Sequence, residues 1–161
     1  MFRPPRLLLA CAIALLWTAG CAQHAHVPAL QHASEAGEAD ARIAVSFPAP
    51  LKSATLAHMR DHLLALQEIQ QALAVSQFDH AAELAEKRLG MSSMPQHGAH
   101  DVARFMPPGM REAGTQMHRS ASRFAAAATE AAVGNDLKPA LAALSQLTAT
   151  CIACHAAYRL Q

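Results

Sequence analysis

The chain has 161 residues, of which 52% are hydrophobic and only 4% aromatic, and its formal net charge at pH 7 is +1. That length suits one ordinary domain with a short extension. The near-neutral balance, without a long run of either sign, excludes the basic face of a nucleic-acid binder and a polybasic membrane patch.

The first twenty residues carry the marks of export. Arg3 and Arg6 give a positive start, residues 7–17 an apolar run, and Thr18-Ala19-Gly20 a small-residue cleavage region. The run is shorter than the roughly 20 apolar residues a membrane-spanning helix needs. Residues 1–20 therefore read as a signal peptide and the destination as the periplasm. Cys21 follows Ala19-Gly20 directly, in a pattern similar to a bacterial lipobox, with Thr18 where leucine is usual. Cys21 is thus a candidate lipidation site that would tether the protein to a membrane by acyl chains. Ordinary cleavage releasing a soluble protein, or an uncleaved anchor, are the alternatives. Loss of Arg3 and Arg6 leaves 11 basic against 12 acidic residues.

Residues 21–50, with Pro28, Pro48, Pro50 and few large apolar side chains, read as a flexible tether. Its histidines, His24, His26 and His32, read as solvated groups rather than metal ligands.

Residues 51–161 are expected to form one all-α domain, an antiparallel up-down four-helix bundle. A first helix over about 54–75 places Leu56, Met59, Leu63, Leu66 and Leu73 on one inward face. A second, over about 78–89, stops at Gly90. The link 91–109 is long enough to be functional or to hold one or two extra helical turns between 98 and 106. Within it Met91, Met94, His97 and His100 recur every third residue, followed by Met106 and Met110. Thioether and imidazole ligands in such a mixture suit copper. Pro95 and Gly98 interrupt any shared helical face, however, and methionines covering the core are the plainer reading. The third helix follows Pro107-Pro108-Gly109, with Met110, Ala113, Met117, Ala121, Phe124 and Ala128 as its stripe, and ends at Gly134-Asn135. The fourth starts at the N-cap Asp136, with Pro139 in its first turn. Leu137, Leu141, Leu144, Leu147, Cys151, His155 and Tyr158 continue one face to the chain end.

Cys151-Ile152-Ala153-Cys154-His155 is the C-x-x-C-H signature of a c-type haem. Both thiols form thioethers to the haem vinyl groups, and the following imidazole binds the iron. On a helix, positions i, i+3 and i+4 share a face, so Cys151, Cys154 and His155 point the same way. A thioredoxin-like pair would need a βαβ setting and a zinc site a second ligand pair, and the sequence offers neither. With Cys11 in the signal peptide and Cys21 at the lipid site, no cysteine pair is left for a disulfide.

A four-helix domain whose last helix opens with Asn135-Asp136-Leu137 and closes with C-x-x-C-H and Tyr158-Arg159 resembles the class II c-type cytochromes. These are the cytochrome c-prime group and its low-spin relatives, and the likeness covers most of residues 51–161. The resemblance implies one covalent haem c held against the first and last helices, with His155 as proximal ligand. It implies Arg159 near the proximal side or a propionate, and Tyr158, Met117 and Phe124 around the macrocycle. It further implies a periplasmic location and a redox partner in the periplasm or membrane; many relatives form a homodimer through their first two helices, but no patch in this sequence decides between monomer and homodimer. The distal ligand then decides the function. In the cytochromes c-prime an apolar first-helix residue leaves the iron five-coordinate, and in the low-spin relatives a methionine binds it. Met59 is the candidate sixth ligand, since a thioether favours Fe(II) and raises the potential. Core packing is the alternative role for Met59. His58 or His62, on a helix turned by one residue, and an open site are the other possibilities for the distal face. Three readings result: a single-electron carrier, which is preferred; a five-coordinate gas-binding haem protein; and a copper-binding module built on residues 91–110. Nothing in the sequence argues for a hydrolase or kinase, and a peroxidase-like activity lacks an assignable distal acid or base.

Overall fold

Two prolines set where the first long helix begins. Pro48 is the N-cap of α1 (Ala49–Ala74) and Pro50 lies in its first turn, where no intrahelical N–H is needed. In this computed structural model, which describes residues 40–161, the helix thus starts inside the segment expected to be tether. The expected signal peptide, Cys21 and the histidines His24, His26 and His32 lie outside the described residues.

The chain is predominantly helical. After β1 (Ile43–Val45) and α1 come α2 (Phe78–Arg88), a 3-10 turn at Met91–Ser93, the short α3 (Ala99–Ala103), α4 (Pro108–Gly134), α5 (Leu137–Ala157) and β2 (Tyr158–Leu160). Ser76, with φ of 58°, makes the tight turn from α1 into α2. Gly90 follows α2 as expected, although its backbone is extended rather than left-handed. Its lack of a side chain matters because a Cβ there would collide with Glu86. Asn135 takes the left-handed conformation after α4, and the Asp136 carboxylate caps α5 by accepting from the Lys138 N–H at 3.0 Å.

The helices α1 on α2, α2 on α4, and α4 on α5 pack side by side. Successive long helices run antiparallel. The start of α2 lies beside the end of α4 at Ala132 and Asn135, whereas its end meets mid-α4, where the Met91 N–H donates to Ser122 Oγ at 3.0 Å. The end of α5 returns to the start of α1, where Arg42 Nη1 donates to the His155 carbonyl at 3.4 Å. The main core is unusually rich in small residues: Ala65, Ala72, Ala81, Ala85, Ala121, Ala128 and Ala140 surround Ile69, Phe124, Leu144 and Leu147. Alanine at these positions lets backbones approach closely.

Three features depart from expectation. The inward face of α1 is Thr55, His62, Ala65, Ile69 and Ala72, so the stripe of Leu56, Met59, Leu63 and Leu66 is turned onto a flank; only Leu73 of that expected stripe is buried. Leu141 is likewise outside the core of α5, with Ala140 inside it. Finally, α5 ends at Ala157, and Tyr158 and Arg159 do not continue the helix. They belong to β2, which pairs parallel with β1 in the register Ile43↔Tyr158, Ala44↔Arg159 and Val45↔Leu160. This two-stranded ribbon, with Phe47, Val102, Phe105, Met106 and Met110, builds a second small core beyond the helix ends.

A polar clamp joins α1 to α2. The Arg88 guanidinium spans Asp61 and Glu68 of α1 and holds the Asp61 carboxyl below its usual range. Arg88→Ala leaves both part-exposed carboxylates to water and is expected to cost on the order of 1 kcal/mol, read as a lower urea midpoint with an unchanged slope.

Candidate functional site

Cys151, Cys154 and His155, the residues expected to attach haem, occupy the last two turns of α5. Cys151 borders the main core and is half-buried, as is Cys154, and both are free thiols. Burial pushes the pKa of both thiols up, so neither is poised as a surface thiolate. His155 is exposed, one turn after Cys151 on adjoining parts of the helix surface.

Beside them the helix surface is unusually apolar. With a mean hydropathy of 1.4, α5 is apolar enough by length and composition to cross a membrane, yet only a small share of it is buried. Here Ile152 is 63% and Leu141 48% exposed, and across from them on α1 Leu63 is 69% exposed. Between the two helices runs a groove of about 410 Å³ lined by Gln70 of α1 and Leu141, Leu144, Ser145, Thr148 and Ile152 of α5. Met59, Leu63, Leu66 and Gln70 follow one another at helical spacing along that flank. Met59 lies about three turns before Gln70, and the last turn of α5 about three turns beyond the middle of the groove. In antiparallel helices this sets Met59 about level with the turn that carries His155. The residues present therefore fit a covalently attached macrocycle: two thiols, an available imidazole and two uncovered apolar helix flanks.

The other expected haem neighbours are dispersed. Met117 and Phe124 are buried in the main core, with Phe124 fully enclosed by protein. Tyr158 packs in the second core, its hydroxyl so near Gly109 that a Cβ there would stand 2.5 Å away. Arg159 lies with Nε 3.2 Å from Asp40 Oδ2, an ion pair by distance without hydrogen-bond alignment. Asp40 in turn is held at about 2, chiefly by its hydrogen bonds from Arg42.

A second constellation emerges on the inward face of α1. His58 and His62 turn away from the α5 groove and meet His97 of the link and His118 of α4. Ring centres lie 4.9 Å apart for His58–His97, 4.8 Å for His62–His97, 5.5 Å for His97–His118 and 6.3 Å for His62–His118. His62 and His118 are each only 8% exposed. His118 Nδ1 lies 2.8 Å from the Leu89 carbonyl, whereas His62 Nε2 and His97 Nδ1 are buried without any partner. Among the described residues, no group of three or more His, Cys, Asp or Glu side chains is arranged, as it stands, to hold a metal ion.

The link segment does not act as the single ligand ladder its spacing suggested. His97 joins the histidine cluster, His100 points fully into solvent, Met91 is exposed, and Met106 and Met110 pack with Phe47. The i, i+4 pair His58/His62 was visible as a pattern, but its meeting with His97 and His118 depends on how α1, the link and α4 pack.

Compared with protein-family models, with curated proteins and with solved structures, the chain matches none.

Proposed function

We propose that this is a c-type cytochrome of the class II kind: an antiparallel four-helix bundle, exported to the periplasm, that binds one covalent haem and passes single electrons to a redox partner. The observation that carries the reading is the conjunction of C-x-x-C-H on the last turns of α5 with uncovered apolar flanks on α5 and α1. Cys151 and Cys154 would hold the haem, His155 would bind its iron, and Met59 is the candidate sixth ligand. Haem supplies a one-electron Fe(III)/Fe(II) couple. The chain's own part is to fix orientation through the two thiols and to exclude water with Leu63, Leu66, Leu144 and Ile152. A drier surrounding and a thioether ligand both disfavour the charged ferric state and raise the potential. No substrate is transformed, so the protein is a carrier rather than an enzyme. Acylation at Cys21 would keep it at a membrane near its partner.

The test is the optical spectrum of the matured protein, oxidised and reduced, before and after carbon monoxide. A low-spin spectrum that carbon monoxide leaves unmoved supports Met59 ligation and electron transfer. A high-spin spectrum that shifts with carbon monoxide favours the five-coordinate gas-binding reading, in which Met59 packs with Leu63 and Leu66. Met59→Leu is expected to convert the first behaviour into the second while leaving haem attached. If the low-spin spectrum survives this change, Met59 is not the ligand.

A further inference from the structure

We propose that His62, His97 and His118, with His58 as a fourth imidazole, form a second metal centre for a borderline divalent ion, Cu(II) or Zn(II), where α1, the link and α4 meet.

The spacing is that of a ligand set. With metal–nitrogen bonds of about 2.0–2.1 Å and each ring centre roughly 1.2 Å behind its nitrogen, tetrahedral ligation separates ring centres by about 5 Å. The observed separations of 4.8, 4.9 and 5.5 Å bracket that value, and the 6.3 Å of His62–His118 closes with a modest rotation of either ring. The donors do not yet converge on one point. His58 and His97 are both only partly covered, so the cluster is open toward solvent on their side.

Three details point to an ion rather than to a structural polar core. A buried nitrogen without a partner is costly and uncommon, and this cluster holds two, His62 Nε2 and His97 Nδ1. In the tautomer where His118 Nδ1 donates to the Leu89 carbonyl, Nε2 is left with its lone pair free, the arrangement metal-binding histidines adopt. The nearest acid, Asp61, is bound to Arg88 rather than to the imidazoles. An all-imidazole set without carboxylate suits Cu(II) or Zn(II) and disfavours Ca(II) and Mg(II). The centre uses none of the haem-attachment residues, so it stands whether or not the haem reading does.

The test uses the full-length matured protein, stripped with a chelator, titrated with Zn(II) against a chromophoric competitor and melted with and without the ion. Wild type is expected to take one tight equivalent and to melt higher with Zn(II). His97→Gln and His62→Gln are expected to lose at least ~100-fold in affinity and all of that stabilisation. His24, His26 and His32 are common to all three proteins, so their binding cancels. Cu(II) on wild type should give an electron paramagnetic resonance spectrum with coupling to at least three nitrogens. Zn(II) affinity and stabilisation equal in wild type and in His97→Gln, whose partly exposed position tolerates the change, would overturn the proposal. So would a Cu(II) spectrum without multiple nitrogen couplings.

Discussion

Replacing both thiols, Cys151→Ser with Cys154→Ser, is expected to abolish covalent haem, and each single change to leave at most one thioether. Denaturing electrophoresis with haem staining, together with the intact mass, reads the result directly. Full covalent haem in both single variants would sink the site assignment. The larger consequence falls on the fold. Leu63, Leu141 and Ile152 are 69%, 48% and 63% exposed in the polypeptide alone. Burying a whole Leu or Ile side chain contributes about 1.5–3 kcal/mol, so covering the exposed half of each of these three is worth on the order of 3 kcal/mol. The haem-free variant should therefore unfold at distinctly lower urea than the matured protein and bind a hydrophobic dye along α1 and α5. An apo-protein with an unchanged midpoint would mean that those flanks are covered by something other than haem.

Acid is expected to weaken the metal-free protein through the histidine cluster. Burial first, then the neighbouring His97 and His118, lower His62 from 6.5 to about 4, with His58 acting the same way and Asp61 opposing. Asp61 is engaged by Arg88, which limits its help. A depressed histidine pKa means that between pH 6.5 and 4 the unfolded chain takes up a proton that the folded chain refuses. Stability is then unaffected above pH 6.5, falls as pH drops through that window, and levels off below about 4. The full difference for His62 amounts to about 3 kcal/mol. His97 adds to the loss in the same direction, discounted for its partial exposure. Urea unfolding of chelator-treated protein at pH 7 and pH 4.5 measures it. His62→Leu, which cannot titrate, should flatten the slope. Equal slopes in wild type and variant would show that His62 is not held neutral by its surroundings.

Much of this chain could be read residue by residue. The C-x-x-C-H signature is local chemistry at one turn of one helix, and its spacing alone puts thiols and imidazole together. The stops and caps at Gly90, Asn135 and Asp136 were equally local, so α2, α4 and the start of α5 fell where turn residues place them, whereas Pro48 and Pro50, expected in the tether, start α1 about five residues early. The stripe on α4 was also right at Met117, Ala121, Phe124 and Ala128, because that helix has neighbours on both sides and buries its most regular face.

Packing decided the rest. Periodicity shows that α1 has a leucine stripe, but not whether that stripe or the alanines beside it meets the other helices. Close approach through Ala65 and Ala72 turned the leucines and Met59 onto the flank beside α5, and turned His62 into the interior. The same rotation separates the two candidate sites, with Met59 toward α5 and the histidines toward His97 and His118. Pairing of Ile43–Val45 with Tyr158–Leu160 joins segments from opposite ends of the domain, and no window along the chain contains both. Four histidines scattered from His58 to His118 carry no motif as a string. They become a cluster because α1, the link and α4 converge, and convergence of distant segments is a property of the folded core.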